Sequence, residues 1–185
     1  MFILRIPDDF PIAMIGEYLK DSSPDRFIYR RATSVADNGG VPRFSFSATI
    51  KALMRFDVLP NNTMIPLVSK RVARILDEIC STDYELIPAE VNACNGKLED
   101  YCLLNILARV SMIDRAKSSL VMVPGTNKII KVEKLECLMD GMQNHHLARD
   151  YDYMSYIWFS KTLKDAFESS NIKACQFIAP NEVHP

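Results

Sequence analysis

The sequence predicts an α+β fold: mixed or antiparallel sheets, two Ser-capped helix–strand units, and strand content above helix. Three observations predict it. The first is the stretch Leu67 to Pro88, LVSKRVARILDEICSTDYELIP, in which Ser69 stands before apolar residues at Val72, Ile75, Leu76 and Ile79. That is the i, i+3, i+4, i+7 spacing of a helix with one buried face. A serine there accepts a hydrogen bond from an unpaired N–H of the first turn, and the runs Leu67-Val68 and Tyr84 to Pro88 read as strands on either side. The second is that the unit recurs 91 residues later, without a gap, as Trp158 to Ala179. Ser69 aligns with Ser160, Lys70 with Lys161, Val72 with Leu163, Leu76 with Phe167, and Leu86-Ile87 with Phe177-Ile178. Three of the 22 aligned positions are identical, so the repeat is one of pattern. The third is that most other apolar residues fall in short runs bounded by Pro, Asn, Gly and Ser, the punctuation of strands and turns.

In chain order, Phe2 to Ile6 reads as a strand ended by Pro7-Asp8-Asp9, and Ile12 to Leu19 as one or two amphipathic helical turns. Asp21 to Asp25 is a loop, Phe27 to Ala32 a strand, and Asp37-Asn38-Gly39-Gly40-Val41-Pro42 the clearest turn, since Asn and Gly tolerate positive φ. Phe44 and Phe46 alternate with Ser45 and Ser47 as a half-buried strand. Ile50 to Leu59 fits helix or strand and is closed by Pro60-Asn61-Asn62; Met64 to Val68 leads into the first unit. Beyond Pro88 the strand is expected to run on to Val91, with a hairpin-type turn at Asn95-Gly96. Tyr101 to Val110 fits a helix or a buried strand, and periodicity does not decide. Leu120 to Val123 and Lys128 to Leu138 read as strands around Pro124-Gly125-Thr126-Asn127, the second turning Ile130, Val132 and Leu135 one way and Lys131, Glu133 and Lys134 the other. Gly141 to His145 is a turn, Tyr153 to Phe159 an aromatic strand, and Pro180 to Pro185 a frayed tail.

At 185 residues the chain is one domain over 1–185 or two closely packed lobes joined near 92–100, since no Pro- or Ser-rich linker occurs. It is long enough to bury roughly two-thirds of its unfolded surface. A net charge of −1 gives the whole molecule no electrostatic case for nucleic acid or membrane. Five cysteines, odd in number and without CxxC spacing, indicate buried thiols in a reducing compartment. The N-terminus lacks the basic start of a signal peptide, and no run approaches the ~20 apolar residues that span a bilayer. A cytoplasmic protein is expected, with oligomeric state open.

Chemistry-bearing motifs are sparse. There is no GxGxxG or GxxxxGK[ST] phosphate loop, no HExxH and no GxSxG. Cys137 with His145 and His146 falls short of the three or four ligands a zinc site needs, and His184 lies in the tail. No metal or cofactor is expected. Asp114, Arg115 and Ser118 read as a local network capping a turn. From Leu76 to Asp100 seven acids (Asp77, Glu78, Asp83, Glu85, Glu90, Glu99, Asp100) face one base, Lys97. Such a cluster is commonly a solvated face; the sharper reading is a patch that docks a basic partner. In Arg149-Asp150-Tyr151-Asp152-Tyr153, acids alternate with tyrosines, and Tyr and Arg dominate binding hot spots. The candidate partner-binding residues are therefore Asp77, Asp83, Glu85, Glu90, Arg149, Tyr151 and Tyr153.

LVSKRV with YELIPAEV, then Tyr101, Asn105 and Ile113-Asp114-Arg115 with Ser118, then His145-His146-x-x-Arg149, then a Ser-capped helix ending in Gln176-Phe177-Ile178, together resemble a family of bacterial immunity proteins. These accompany polymorphic toxins, contact-dependent and secreted effectors among them. The order of the pieces carries the resemblance, over residues 43–180. Where the family pattern has an aromatic before the Arg and a Gly before the final strand, this chain has Ala148 and Ala174 or Cys175. The resemblance implies a non-enzymatic protein that binds a cognate toxin domain in the cytosol and covers its functional surface, with no nucleic acid or membrane as partner. If the toxin is a basic nuclease, carboxylates would stand in for phosphates. Two other classes stay open: an enzyme built on Arg115, His145 and His146 in a concave pocket, and a structural or adaptor domain.

Overall fold

The computed structural model describes residues 1–35 and 40–183. In chain order its elements are β1 (Phe2–Arg5), β2 (Glu17–Tyr18), β3 (Arg43–Ser45), α1 (Ile50–Leu53), β4 (Val58–Leu59), β5 (Leu67–Ser69), α2 (Lys70–Cys80), β6 (Tyr84–Pro88), β7 (Glu90–Ala93), β8 (Gly96–Leu98), β9 (Tyr101–Ile106), β10 (Arg109–Val110), β11 (Ser119–Met122), β12 (Ile129–Lys134), β13 (Leu147–Asp150), β14 (Ile157–Phe159), α3 (Lys161–Ser169) and β15 (Gln176–Ile178). The fold is α+β with more strand than helix.

Both Ser-capped units form as their sequences require. Ser69 Oγ accepts from the Val72 N–H, and Ser160 Oγ from the Leu163 N–H. Each serine is also tied to the residue just ahead of an earlier strand, Asp57 before β4 or His146 before β13. The Ser69 N–H donates to the Asp57 carbonyl at 2.8 Å and its hydroxyl to Asp57 Oδ1 at 3.1 Å. The Ser160 N–H donates to the His146 carbonyl at 2.9 Å, and its hydroxyl meets His146 Nδ1 at 2.8 Å. Units and sheets correspond residue for residue. Leu67 pairs with Leu103 as Trp158 pairs with Ile3; Leu86 pairs with Leu104 as Phe177 pairs with Leu4. Even the strand entries match: Gly16 bridges Asn61 as Val110 bridges Asp150, both parallel, and Asn61 and Asp150 each accept from a backbone N–H two residues on. The repeat expected from pattern is a structural repeat that extends well beyond the aligned 22 residues.

The two repeats exchange strands. One sheet runs β4-β5-β9-β6 and another β10-β13-β14-β1-β15. The strand between β5 and β6 is therefore β9, which opens the second repeat, and the strand between β14 and β15 is β1, which opens the first. Both inserted strands run antiparallel to their neighbours. Two further sheets, β2-β3-β7-β8 and the hairpin β11-β12, lie outside this pair. A central apolar cluster joins Val72 and Leu76 of α2, Leu163 and Phe167 of α3, Leu104 of β9 and Phe159 of β14. Leu103 and Trp158, one residue along, point to the opposite faces and enter two outer clusters. Strands with both faces buried carry continuous apolar runs, which is why Tyr101 to Val110 showed no period; it is strand.

Several local expectations are corrected. Phe27 to Ala32 is a 3-10 helix, Arg26–Arg30, opened by Asp25, whose carboxylate accepts from the Phe27 N–H. Ile12 to Leu19 divides into a 3-10 turn, Ile12–Met14, and β2. The strand after Tyr84 stops at Pro88, and β7 joins a different sheet. The aromatic strand begins at Ile157, not Tyr153. In β12 Ile129 points inward and Ile130 outward, because the β11–β12 register shifts at two places. The tail is not frayed through Val183: Pro180–Glu182 form a 3-10 turn and Val183 is buried. Residues 92–100 carry the β7–β8 hairpin, turning at Cys94-Asn95 before Gly96 at φ 142°. Of the turn expected at 37–42, Asp37, Asn38 and Gly39 lie outside the described residues.

Candidate functional site

The acidic segment does not form a face. Asp83 is 3% exposed. Its carboxylate meets His145 Nδ1 at 2.6 Å and accepts from the N–H groups of His146 and Leu147. It therefore bolts the turn after α2 to the start of β13, and it faces no partner. Glu85 is spent in the same way, accepting from Ser34 Oγ, the Val35 N–H and Asn105 Nδ2, each at 2.7 Å. Glu90 is paired with Arg43 and Lys97, and Asp100 with Lys70. Asp77 accepts from the Tyr84 hydroxyl. Of the seven, Asp77, Glu78 and Glu99 stand exposed without an ion-pair partner among the described residues.

Arg149 also leaves the proposed strip. It lies in β13, whose four residues are all buried, and is 0% exposed, so it cannot meet another protein. Asp150, likewise buried, anchors the loop that follows. Its carboxylate accepts from the N–H groups of Asp152, Tyr153 and Met112 and from Trp158 Nε1. Burial pushes the Asp150 carboxyl up; these four donors work against that rise.

What the anchored loop presents outward is Tyr151, 59% exposed. The Arg109 guanidinium lies over its ring, 4.3 Å from the centroid. Beside it Arg115 forks onto Asp152, with Nε–Oδ2 at 2.9 Å and Nη2–Oδ1 at 2.8 Å, and also donates to the Asn127 carbonyl. Tyr153 packs edge-on against Tyr156 and reaches the Ile130 carbonyl with its hydroxyl. Ile130 is itself 54% exposed on β12. Arg109 with Tyr151 and Arg115 with Asp152 thus put aromatic, cationic and anionic groups at the surface from consecutive positions of one loop, and Tyr153 ties that loop to β12 at the exposed Ile130; these residues make up a candidate patch. Arg109 had a sequence signal that went unused: it is the one charge interrupting the run from Tyr101 to Val110.

The expected Asp114–Arg115–Ser118 network divides. Asp114 does cap its turn, its side chain accepting from the Ala116 N–H and its carbonyl from the Ser118 N–H. Arg115 turns away to Asp152, and Ser118 pairs with both backbone groups of Glu136. Arg115 therefore does not join the histidines: His145 serves Asp83 and His146 serves Ser160. Among the described residues, a hollow of about 780 Å³ lies around Glu17, Lys20, Asp25 and Arg26, and an apolar groove of about 370 Å³ lies between β1, β4 and the 153–157 loop. Neither is lined by Arg115, His145 or His146. Among the described residues no three His, Cys, Asp or Glu side chains come together to hold a metal, and no helix is long and apolar enough to cross a membrane.

A family model described as Immunity protein family (Imm11) matches residues 16–178. No curated protein matches the chain.

Proposed function

Because the chain belongs to the Immunity protein family (Imm11), we propose that it binds a cognate toxin domain in the cytosol and neutralises it by covering the toxin's functional surface. The match over residues 16–178 carries this reading. The Arg109–Tyr151–Arg115–Asp152–Ile130 patch supports a place for the contact. Tyr and Arg supply most of the energy in protein interfaces when they sit at the centre of the buried area. Here both are exposed yet already held in position, Tyr151 by Arg109 and Arg115 by Asp152, so little side-chain entropy is lost on binding. A standard interface of roughly 800 Å² per partner would cover the patch and the neighbouring outer face of the β11–β12 hairpin. Basic nuclease chemistry in the toxin was inferred from free carboxylates; with most of those engaged, the patch fits a partner of mixed charge better than a strongly basic one.

The test is co-expression with the cognate toxin domain. Wild type should restore growth. Tyr151→Ala and Arg109→Ala should each weaken toxin affinity by roughly thirtyfold or more, the effect of losing a hot-spot side chain. Their stability should fall by only about 1 kcal/mol, since just a solvent-exposed cation–π contact is lost. Full protection and unchanged affinity in the double variant would exclude this surface. Failure of the wild type to protect would exclude the role.

A further inference from the structure

Strand β13 carries a charge, on Arg149, that no acid among the described residues pairs with. Arg149 donates from Nη1 to the Met154 carbonyl at 2.9 Å, but its Nε and Nη2 are buried without a partner among the described residues. Those two N–H groups share one edge of the guanidinium and point in parallel, the fork that grips two oxygens of a carboxylate or phosphate. The acids on β13 and at its start are engaged elsewhere. Asp150 turns to the opposite face, toward Met112 and Trp158, and Asp83 is spent on His145, His146 and Leu147. A second guanidinium stands nearby instead. Arg30 donates to Ser155 Oγ at 3.1 Å, so adjacent residues of one loop, Met154 and Ser155, each hold one arginine. Burial and, after it, the charge of Arg30 hold the Arg149 guanidinium down at about 10. A cation taken out of water with a like charge for a neighbour is strongly unfavourable unless an anion joins it. The apolar groove lies alongside: Ser155, which holds Arg30, and Ile157, the cross-strand partner of Arg149, both line it.

We infer that Arg149 and Arg30 hold a small oxyanion, two of its oxygens set on Nε and Nη2 of Arg149 and its charge shared with Arg30. The ligand is a free carboxylate or phosphate, because Arg149 has no exposed surface that a partner's side chain could reach. It closes the junction of the Arg26–Arg30 helix, the 154–155 loop and β13, and so acts on the fold independently of any toxin.

Thermal unfolding in phosphate, in acetate, and in sodium chloride at equal ionic strength tests this. A ligand that binds only the folded state raises Tm by roughly 5–10 °C at a hundredfold excess over its Kd in a chain of this size. The expected result is a saturable rise in wild type with phosphate or acetate beyond that in chloride, absent in Arg149→Met and needing at least fivefold more anion in Arg30→Gln. The anion with the lower half-saturation identifies the ligand as phosphate-like or carboxylate-like. Should Arg149→Met not fold, Arg30→Gln and calorimetric titration of wild type with both anions decide the matter. No saturable gain in wild type, or an undiminished gain in Arg30→Gln, overturns the site.

Discussion

Ala174 stands at φ 67°, just before β15. A side chain in that left-handed region costs about 1–2 kcal/mol. Ala174→Gly relieves the strain but gives the unfolded chain about 0.4–1 kcal/mol of extra freedom. A net gain of about 0.5–1 kcal/mol is expected, read as the free energy of urea unfolding; a loss would mean that the methyl's contacts in the groove outweigh its backbone strain. Single residues were the least legible scale in the sequence. The carboxylates of Asp83 and Glu85 look like their neighbours along the chain, yet their partners lie 20 to 64 residues away. Arg149 belongs to a strip of alternating acids and tyrosines, and only the fold shows that both it and Asp150 are buried while Tyr151 is not. Tyr151 was legible because the acids on either side of it, Asp150 and Asp152, hold its loop open.

The two helices were legible as elements because every cue is local: a serine cap, an apolar stripe at helical spacing, polar residues at the end. The caps do more than the sequence implied, since each hydroxyl also ties the helix to a side chain just ahead of an earlier strand, Asp57 before β4 or His146 before β13. Ser69→Ala and Ser160→Ala should each cost about 1–2 kcal/mol, the cap together with the second bond. Urea midpoints measure this, and losses of similar size are expected because each serine makes the cap bond and one further side-chain bond, to a carboxylate at Asp57 or an imidazole at His146. A negligible loss in either would show that water replaces the hydroxyl there. Short strands were harder. β9 hides its period by burying both faces, and Arg26–Arg30 alternates like a strand but is turned into a 3-10 helix by the Asp25 cap. The second unit is exposed as a repeat by spacing and not by identity.

At the scale of the molecule, the buried thiols and phenols set an alkaline limit. Burial pushes Cys80 and Cys175 up to about 12, Cys137 to about 11, and Tyr29, Tyr101 and Tyr156 to about 12. The unfolded chain gives up these protons first, from roughly pH 8.5 for thiols and 10 for phenols. Stability from these groups is therefore complete below that range and is lost as pH rises toward 12. Tm should be level near pH 8 and fall steadily from about pH 9 upward; a level Tm to pH 11 would mean these groups ionise in the folded protein without penalty. The exchanged strands give a second test at this scale. A cut between Glu99 and Asp100, both exposed, separates residues 1–99 from 100–185. Each fragment then lacks the middle strand of its own sheet, so neither should unfold cooperatively alone, and the two together should form a one-to-one complex with native circular dichroism. A fragment that folded by itself would show the exchange to be dispensable. The exchange also sets the timetable of synthesis. Ile3 leaves the ribosome first but waits for Trp158, more than 150 residues behind it. At the usual pace of translation that is roughly ten to thirty seconds. Throughout that interval the newborn chain trails an unmated apolar ribbon, so a cell that needs this protein ready at once must either shelter the ribbon or keep finished copies in stock.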